Sequence, residues 1–176
     1  KKKKIKKKKL KNTSIVIMAG GEGKRLMPFT NVLPKPLIPL AGKTVLEHII
    51  EKFVNFGNKN FFISINYKSQ IIKSYFQEVN PKKYTISFIK EKKPMGTIGS
   101  LKLIKDKLNE YIFICNCDTI MSFNYNELLS FHKKNDFDLT IVASKKNFTI
   151  PYGLCEINNK NELKTINEKP KNKHLV

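Results

Sequence analysis

The sequence has no hydrophobic run of the roughly 20 residues that a transmembrane helix needs. It has only three cysteines, and Cys115, Cys117 and Cys155 lack the paired spacing of a metal site. These absences argue against a membrane-spanning protein, a disulfide-stapled scaffold and a zinc-binding module. We expect buried free thiols at Cys115 and Cys117, which would share one face of a strand, and a reducing, cytoplasmic setting.

Acidic residues are also scarce, with 14 Asp and Glu against 34 Lys and Arg, so the net charge is +20. Such an excess is typical of proteins with an acidic partner such as nucleic acid or a membrane surface. Nine of the lysines lie in residues 1–11, however, and without them the net charge is +11. We expect residues 1–13 to be a disordered tail or linker and no signal peptide, because no cleavage site follows. An arm that binds nucleic acid or anionic lipid is the alternative.

The rest of the chain alternates between patterns typical of strands and patterns typical of helices. Thr44 and Glu47 have the spacing of a capping box at the start of one predicted helix, and Gly57 can end it. The alternation predicts an α/β fold with a Rossmann-like, mainly parallel sheet and helices on both faces. The predicted strands are 14–18, 61–65, 84–90, 111–115 and 138–144, with a hairpin of 152–157 and 162–166; the predicted helices are 45–54, 69–79, 96–108 and 126–133.

A glycine-rich segment follows the first predicted strand. Its three glycines in residues 20–23 leave the backbone bare, so that successive N–H groups can form a cradle for an anion. It is not a Walker loop, because no Gly-Lys is followed by Ser or Thr, and Leu26 replaces the third glycine of a dinucleotide fingerprint. The glycines alone favour an ordinary strand-to-helix turn, but Arg25 and Lys35 add the positive charge that a polyphosphate needs.

Asp118 closes another apolar predicted strand. The carboxyl ends of parallel strands meet at one edge of a sheet, so Asp118 should share a crevice with the glycine segment. A carboxylate at that edge suits a Mg²⁺ ion that bridges to phosphate oxygens. Asp is also a favoured N-cap residue, and the residues alone leave these two interpretations balanced.

Two segments, Ala19-Gly-Gly-Glu-Gly-Lys-Arg-Leu-Met-Pro28 and Pro34-Lys-Pro-Leu-Ile-Pro39, closely resemble the signature of the sugar-phosphate nucleotidyltransferases, or nucleotide-sugar pyrophosphorylases. The likeness extends from Ile15 to Pro170 and includes four motifs in the expected order. It is closest to the sugar-1-phosphate guanylyl-, uridylyl- and thymidylyltransferases of bacterial surface-sugar pathways. The resemblance implies a nucleotidyltransferase domain in residues 14–176 with the nucleotide-diphospho-sugar transferase fold.

The resemblance also implies roles for individual residues. Arg25 and Lys35 become the catalytic residues: Arg25 would hold the triphosphate together with the glycine backbone, and Lys35 would bridge the phosphates of both substrates. Asp118 becomes the anchor of a Mg²⁺ cofactor. The implied nucleotide-binding residues are Ala19, Gly20, Gly21, Gly23, Glu91, Gly96 and Thr97.

Glu91 lies in a stretch, 91–99, that resembles the nucleobase-binding motif of the family, with Ile98 in place of the usual alanine. An ionised carboxylate only accepts hydrogen bonds, and guanine offers two adjacent donors, whereas uracil and thymine offer one. Glu91 therefore favours GTP. The alternative is an exposed glutamate among lysines.

The segments at Tyr152-Gly153 and Glu168-Lys169-Pro170 resemble the sugar-phosphate pocket of the family. By that resemblance, Gly153 lets the sugar approach the backbone, Glu168 accepts hydrogen bonds from sugar hydroxyls, and Lys169 neutralises the phosphate. Each pair by itself would be an ordinary turn or surface charge.

The implied reaction converts an NTP and a sugar 1-phosphate into an NDP-sugar and pyrophosphate. It requires no protein nucleophile, and the sequence shows no nucleophilic triad. The expected partners are these two substrates; no membrane is expected, and a homo-oligomer stays open. Scattered basic residues and the lack of an RNA-binding aromatic motif disfavour a nucleic-acid-binding protein.

Two further expectations concern the whole domain. The family's domain continues past the Glu-Lys-Pro motif with a second metal-binding carboxylate, so we expect a C-terminally truncated domain with weak nucleotide binding or no turnover by itself. A non-catalytic regulatory or exchange-factor subunit of the same fold is an alternative function. Such subunits commonly lose the catalytic basic residues, so the presence of Arg25, Lys35 and Asp118 argues against it.

We predict that Arg25→Ala lowers turnover far more than it lowers stability, because charge neutralisation and positioning carry phosphoryl-group chemistry. Steady-state kinetics and thermal unfolding of the variant measure the two effects. Near-normal product formation by the variant would remove Arg25 from the catalytic residues.

Overall fold

The computed structural model describes residues 12–91, 95, 96 and 98–175. The chain divides into two compact units, of which the first ends at Phe131 and the second begins at His132. Residues 1–11 of the predicted tail, 1–13, and the predicted site residue Thr97 lie outside the described residues. The end of the tail at residue 13 is wrong, because Thr13 is buried and begins the first strand.

A four-stranded parallel sheet, with strand order β5-β4-β1-β6, forms the centre of the first unit. The strands of this unit are β1 (Thr13–Met18), β2 (Pro39–Leu40), β3 (Lys43–Thr44), β4 (Asn60–Ile65), β5 (Thr85–Lys90) and β6 (Tyr111–Asn116). β2 and β3 form a separate antiparallel pair. The predicted strands 14–18, 61–65, 84–90 and 111–115 are confirmed with ends within one residue, and so is the mainly parallel α/β fold.

Three α-helices cover one face of this sheet. They are α1 (Val45–Val54), α2 (Ser69–Val79) and α3 (Tyr125–Lys134). Ile15 and Ile17 of β1 form a buried cluster with Phe53 of α1, Phe76 of α2 and Tyr125 of α3. Apolar residues at helical spacing thus become buried because they face the sheet. None of the described helices has the length and hydrophobicity needed to cross a membrane.

The other face of the sheet is covered by two turns of 3-10 helix, Gly99–Leu103 and Lys105–Lys107. The α-helix predicted over 96–108 is therefore wrong. Gly96 has a φ of +77°, and Ile98 and Ile104 have φ values of −129° and −132°, so the backbone leaves the helical region at these points. The turns still bury Ile104 against Val16 and Ile89, which places helical segments on both faces of the sheet.

The second unit contains only antiparallel strand pairs among its described residues. Its strands are β7 (Lys145–Thr149), β8 (Leu154–Ile157), β9 (Leu163–Asn167) and β10 (Lys171–Leu175). β8 and β9 form the predicted hairpin, and β7 pairs with β10.

The strand predicted over 138–144 is wrong, because this segment has no regular structure. Its side chains Leu139, Ile141 and Val142 are exposed. Their apolar character and the β-branching of Ile141 and Val142 are typical of a strand. A strand also needs a hydrogen-bonded neighbour, and none of the described strands pairs with this segment.

The predicted capping box begins α1. The Thr44 hydroxyl accepts a hydrogen bond from the Glu47 N–H (3.2 Å), and the Glu47 carboxylate accepts one from the Thr44 N–H (2.8 Å). The phenol of Tyr75 in α2 also donates to this carboxylate (2.8 Å). Burial alone would raise the pKa of Glu47, but the hydrogen bonds from Thr44 and Tyr75 lower it. The cap therefore joins α1 to α2.

We predict that Thr44→Ala lowers the free energy of unfolding by about 1 kcal/mol, because one N–H of the first turn loses its acceptor. Urea denaturation measures the change. Ser74→Ala, at an exposed position in the middle of α2, is the matched control and should change stability by less than about 0.5 kcal/mol. Equal effects of the two substitutions would contradict a stabilising cap.

Candidate functional site

A cleft of about 640 Å³ opens at the carboxyl edge of the parallel sheet. Each of the four strands ends there and continues into residues that line the cleft. The lining residues are Met18, Gly20, Gly21, Glu22, Gly23, Lys24, Lys35, Asn66, Tyr67, Glu91, Met95, Gly96, Asn116, Cys117 and Asp118. The glycine segment, Glu91 and Asp118 therefore share one crevice, as their positions after predicted strands indicated.

The glycine segment lines the cleft with its backbone. Gly23 has a φ of +69°, and a Cβ at this position would lie 2.9 Å from Cγ2 of Thr30, so only glycine fits there. In the described part of the chain, the N–H groups of Gly21, Glu22 and Gly23 donate to no acceptor. Free, successive N–H groups of this kind can bind the oxygens of an anion.

Ala19 differs from the other predicted nucleotide-binding residues of this segment. Its side chain is buried, and its N–H donates to the Ser64 carbonyl oxygen at 2.8 Å. The N–H of Ala19 therefore continues the pairing of β1 with β4, and this donor is already used within the sheet.

The two basic residues that follow the glycines lie in a 3-10 turn, Lys24–Leu26. Lys24 lines the cleft and forms a surface ion pair with Glu22 (3.2 Å), although the sequence analysis did not single it out. Arg25 is exposed and is not among the residues that line the cleft. Its catalytic role stays a prediction.

Lys35 and Asp118 form an ion pair across 83 residues of sequence. Lys35 lies in a 3-10 turn, Lys35–Leu37, and Asp118 follows β6. The two side chains are 28% and 38% exposed, so the pair is open to the cleft. Burial raises the pKa of Asp118, but the hydrogen bond and charge of Lys35 outweigh it and lower the pKa below its usual value.

The N-cap interpretation of Asp118 is wrong. The described residues 119–124 contain no helix, and α3 begins only at Tyr125. The polar group at the start of α3 is Asn124, whose side-chain oxygen accepts from the N–H of Asn126 at 3.1 Å. Asp118 is therefore free of a capping role and faces the cleft.

Asp118 offers one carboxylate as a possible ligand for Mg²⁺. Within the described residues, no group of three or more His, Cys, Asp or Glu side chains could hold a metal ion. Mg²⁺ commonly takes one or two protein carboxylates and completes its shell with water and substrate phosphates. Asp118 thus fits a Mg²⁺ ion that binds together with a phosphate, and does not form a metal site by itself.

Glu91 is buried, with 7% of its surface exposed, so the alternative of an exposed glutamate among lysines is wrong. Its carboxylate accepts hydrogen bonds from the Ser64 hydroxyl and from the Met95 N–H (3.3 Å). Each carboxylate oxygen keeps a further lone pair, and Glu91 lines the cleft, so it can accept from a ligand as well. Gly96 also lines the cleft, with a positive φ.

Asn66 and Tyr67 line the cleft but were missed in the sequence analysis. Asn66 donates to the Glu91 carbonyl oxygen at 3.4 Å, and the Tyr67 N–H donates to the Gly20 carbonyl oxygen at 3.3 Å. Both residues directly follow β4. Their place after a predicted parallel strand was the signal that could have identified them.

Cys117 also lines the cleft, where its thiol is buried. Burial, and then the negative charge of Asp118, raise the pKa of Cys117 to about 11. Burial likewise raises the pKa of Cys115 to about 12. Both thiols therefore stay protonated near neutral pH and are poor nucleophiles. The prediction of buried free thiols at these two positions is confirmed.

The predicted sugar-phosphate residues lie in the second unit. A Cβ at Gly153 would lie 3.0 Å from Oε2 of Glu168 and 3.1 Å from Cγ2 of Ile166, so the hairpin brings Gly153 and Glu168 together. Lys169 is exposed and has a φ of +46°. The roles of Gly153, Glu168 and Lys169 toward a sugar phosphate stay predictions.

Comparison with known proteins adds independent information. A family model described as nucleotidyl transferase matches residues 14–175. The mannose-1-phosphate guanyltransferase of Yarrowia lipolytica is 35% identical over 79% of this chain and 39% of its own length. The enzyme of the same name from Saccharomyces cerevisiae is 34% identical over 89% of this chain and 45% of its own length. The chain thus spans less than half the length of these curated relatives.

A solved structure shows the same fold. The crystal structure of HddC from Yersinia pseudotuberculosis superposes with a TM-score of 0.69 at 28% sequence identity. The superposition covers 93% of this chain and 72% of HddC.

We predict that Lys35→Met raises the pKa of Asp118, because the substitution removes the charge that lowers it and leaves the burial that raises it. NMR titration of the Asp118 carboxyl carbon measures the pKa. In the unsubstituted protein, the lowered pKa means that the ionised carboxylate stabilises the fold at pH values above the ordinary pKa of aspartate. This stabilisation is lost as the pH falls through the lowered pKa.

Lys43→Met is the matched control, since it removes another exposed lysine–carboxylate pair, Lys43 with Glu51. It should leave the titration of Asp118 unchanged. An Asp118 pKa that is the same in the Lys35→Met variant and the unsubstituted protein would contradict the ion pair.

Proposed function

The chain belongs to the nucleotidyl transferase family, and from this premise we propose that the protein transfers a nucleotidyl group from an NTP to a sugar 1-phosphate and releases pyrophosphate. The observation that carries the proposal is the cleft, which brings together three groups suited to this reaction. These groups are the free N–H groups of the glycine segment, the Lys35–Asp118 pair and the buried carboxylate of Glu91.

In the proposed reaction, an oxygen of the sugar phosphate attacks the α-phosphorus of the nucleotide. A new P–O bond forms, the bond to the β-phosphate oxygen breaks, and pyrophosphate leaves with the electron pair. The thiol of Cys117 lines the cleft, but burial raises its pKa, so it stays protonated and is a poor nucleophile. This supports direct attack by the substrate without a protein nucleophile. Catalysis then depends on positioning two anions and neutralising their charge.

Lys35 is the residue best placed to neutralise phosphate charge. Its ammonium group already lies in the cleft beside Asp118 and can transfer its hydrogen bond from the carboxylate to a phosphate oxygen. Asp118 would then be available to hold Mg²⁺, which supplies positive charge that polarises phosphoryl oxygens. The N–H groups of Gly21 to Gly23 would bind the triphosphate, and Arg25 would add a second cation from the adjacent turn.

We propose GTP as the nucleotide. The Glu91 carboxylate is buried in the cleft with acceptor capacity on both oxygens, which matches the ring N–H and exocyclic amine of guanine. The relatives from Yarrowia lipolytica and Saccharomyces cerevisiae are guanyltransferases by name, which supports the same base. Their names also support a hexose 1-phosphate such as mannose 1-phosphate as the acceptor. We propose Gly153, Glu168 and Lys169 as contacts of this sugar phosphate, on the resemblance of their motifs alone.

The alternative of a non-catalytic regulatory subunit gains no support from the cleft. Such subunits commonly lose the catalytic basic residues, whereas Lys35 is present in this chain and lines the cleft beside Asp118.

We predict that the full-length protein releases pyrophosphate with GTP, Mg²⁺ and mannose 1-phosphate, and that release depends on both substrates. A coupled pyrophosphate assay with GTP, UTP, dTTP and ATP, each combined with a panel of sugar 1-phosphates, measures this. We expect the highest kcat/KM with GTP, because guanine pairs both of its donors with Glu91. Glu91→Gln should lower the ratio of kcat/KM for GTP to that for UTP by about tenfold or more, since it removes a charged acceptor.

Two controls make the test specific. Reactions without sugar 1-phosphate report background hydrolysis, and Lys43→Met, outside the cleft, should keep the GTP preference. Pyrophosphate release that ignores the sugar phosphate, or a preference for UTP in the unsubstituted protein, would reject the proposed reaction or the proposed base.

A further inference from the structure

A buried threonine lies beneath the glycine segment. Thr30 is 1% exposed, and its hydroxyl donates to the Gly23 carbonyl oxygen at 3.1 Å. Its methyl group occupies the space next to the Cα of Gly23, since a Cβ on Gly23 would lie only 2.9 Å from it. Thr30 therefore holds the C-terminal end of the glycine segment, at Gly23, by one hydrogen bond and one close packing contact.

Tyr67 forms hydrogen bonds both to the N-terminal end of the segment, at Gly20, and to Thr30. Its N–H donates to the Gly20 carbonyl oxygen at 3.3 Å, and its phenol donates to the Thr30 carbonyl oxygen at 3.3 Å. The next residue, Lys68, donates from its ammonium group to the Val32 carbonyl oxygen at 3.2 Å. Tyr67 and Lys68, which directly precede α2, thus bind the backbone on both sides of the 3-10 turn that contains Arg25.

These hydrogen bonds help to fix the direction of two carbonyl groups. The Gly23 carbonyl oxygen accepts a second hydrogen bond from the Leu26 N–H at 2.9 Å, whereas the Gly20 carbonyl oxygen accepts from Tyr67. In a planar trans peptide, the carbonyl and the following N–H point in opposite directions. Because the Gly20 and Gly23 carbonyls point to Tyr67 and Thr30, the N–H groups of Gly21 and Lys24 point away from these partners. Gly21 and Lys24 are both residues that line the cleft.

Glycine-rich backbone can rotate its peptide planes readily, because it lacks Cβ atoms. A rotated peptide would present a carbonyl oxygen to the cleft in place of an N–H, and the partial negative charge of that oxygen would repel a phosphate. The contacts from Thr30 and Tyr67 oppose this rotation.

We propose that Thr30 and Tyr67 are positioning residues for the triphosphate of the nucleotide. The inference rests on the proposed function and adds to it which residues keep the N–H groups of Gly21 and Lys24 available to the ligand. Thr30 does so through its hydrogen bond to the Gly23 carbonyl oxygen. Tyr67 does so through the hydrogen bonds from its N–H to Gly20 and from its phenol to Thr30. Neither side chain takes part in bond making or breaking.

The test compares nucleotide affinity among variants of the full-length protein. Isothermal titration calorimetry with Mg²⁺ measures the Kd for GTP and for GMP, which differ in the phosphates available to the segment. Thr30→Val keeps the shape and removes the donor, and should weaken GTP binding by about three- to tenfold. Tyr67→Phe should weaken it by about threefold. GMP binding should change less in both variants, because GMP lacks the β- and γ-phosphates.

Rescue separates positioning from general stability. Thr30→Ser restores the hydroxyl and should bind GTP within about twofold of the unsubstituted protein. Thr85→Val is the matched control, because Thr85 also donates to the backbone and to a side chain but lies at the amino end of β5. It should leave both affinities unchanged. Thermal unfolding of every variant measures any loss of stability. If Thr30→Val does not fold, the GTP and GMP affinities of Tyr67→Phe and Thr30→Ser test the positioning role.

Equal losses of GTP and GMP affinity, or normal GTP affinity in both Thr30→Val and Tyr67→Phe, would overturn the positioning role while leaving the proposed function intact. Failure of the unsubstituted protein to bind GTP would instead overturn the proposed use of GTP, and the positioning role with it.

Discussion

The parallel pairing of β1 with both β4 and β6 is the constraint on which the candidate site depends. Met18 at the end of β1 pairs with Ser64 of β4 and Asn116 of β6, so the residues that follow these strands emerge at the same edge. The glycine segment, Asn66 and Asp118 are far apart in sequence and meet for this reason alone. If β4 and β6 were antiparallel to β1, Asn66 and Asp118 would emerge at the opposite edge from the glycine segment.

In the cleft, the donors left for an anion are backbone N–H groups, whereas the lysines that line it are in ion pairs. A large part of the +20 charge lies in residues 1–11, outside the described structure. In the cleft, Lys35 is paired with Asp118 and Lys24 with Glu22, which leaves the free N–H groups of the glycine segment as donors without a partner in the described chain. Backbone donors of this kind cannot be titrated and need no side-chain ordering, which suits a site for a highly charged ligand.

Two predictions of secondary structure failed for a shared reason. Residues 96–108 have the composition of a helix and residues 138–144 that of a strand, but composition reports only local preference. The positive φ of Gly96 and the packing of Ile104 onto Val16 favour 3-10 turns in the first case. In the second, none of the described strands pairs with the segment. Both outcomes depend on contacts with residues distant in the chain.

The sequence by itself determined the strands and α-helices with strong periodicity, the cap at Thr44, and the glycine segment with its nearby cations. These features follow from hydrophobic period, side-chain hydrogen bonds within one turn, and the lack of a Cβ, which are all local properties. Only the tertiary structure decided that Glu91 is buried, that Lys35 pairs with Asp118, that Arg25 lies outside the lining of the cleft, and that Thr30 and Tyr67 hold the glycine segment. Each of these depends on which residues, distant in the sequence, come into contact in the folded chain. The order of residues along the chain does not show which of them will be neighbours in space.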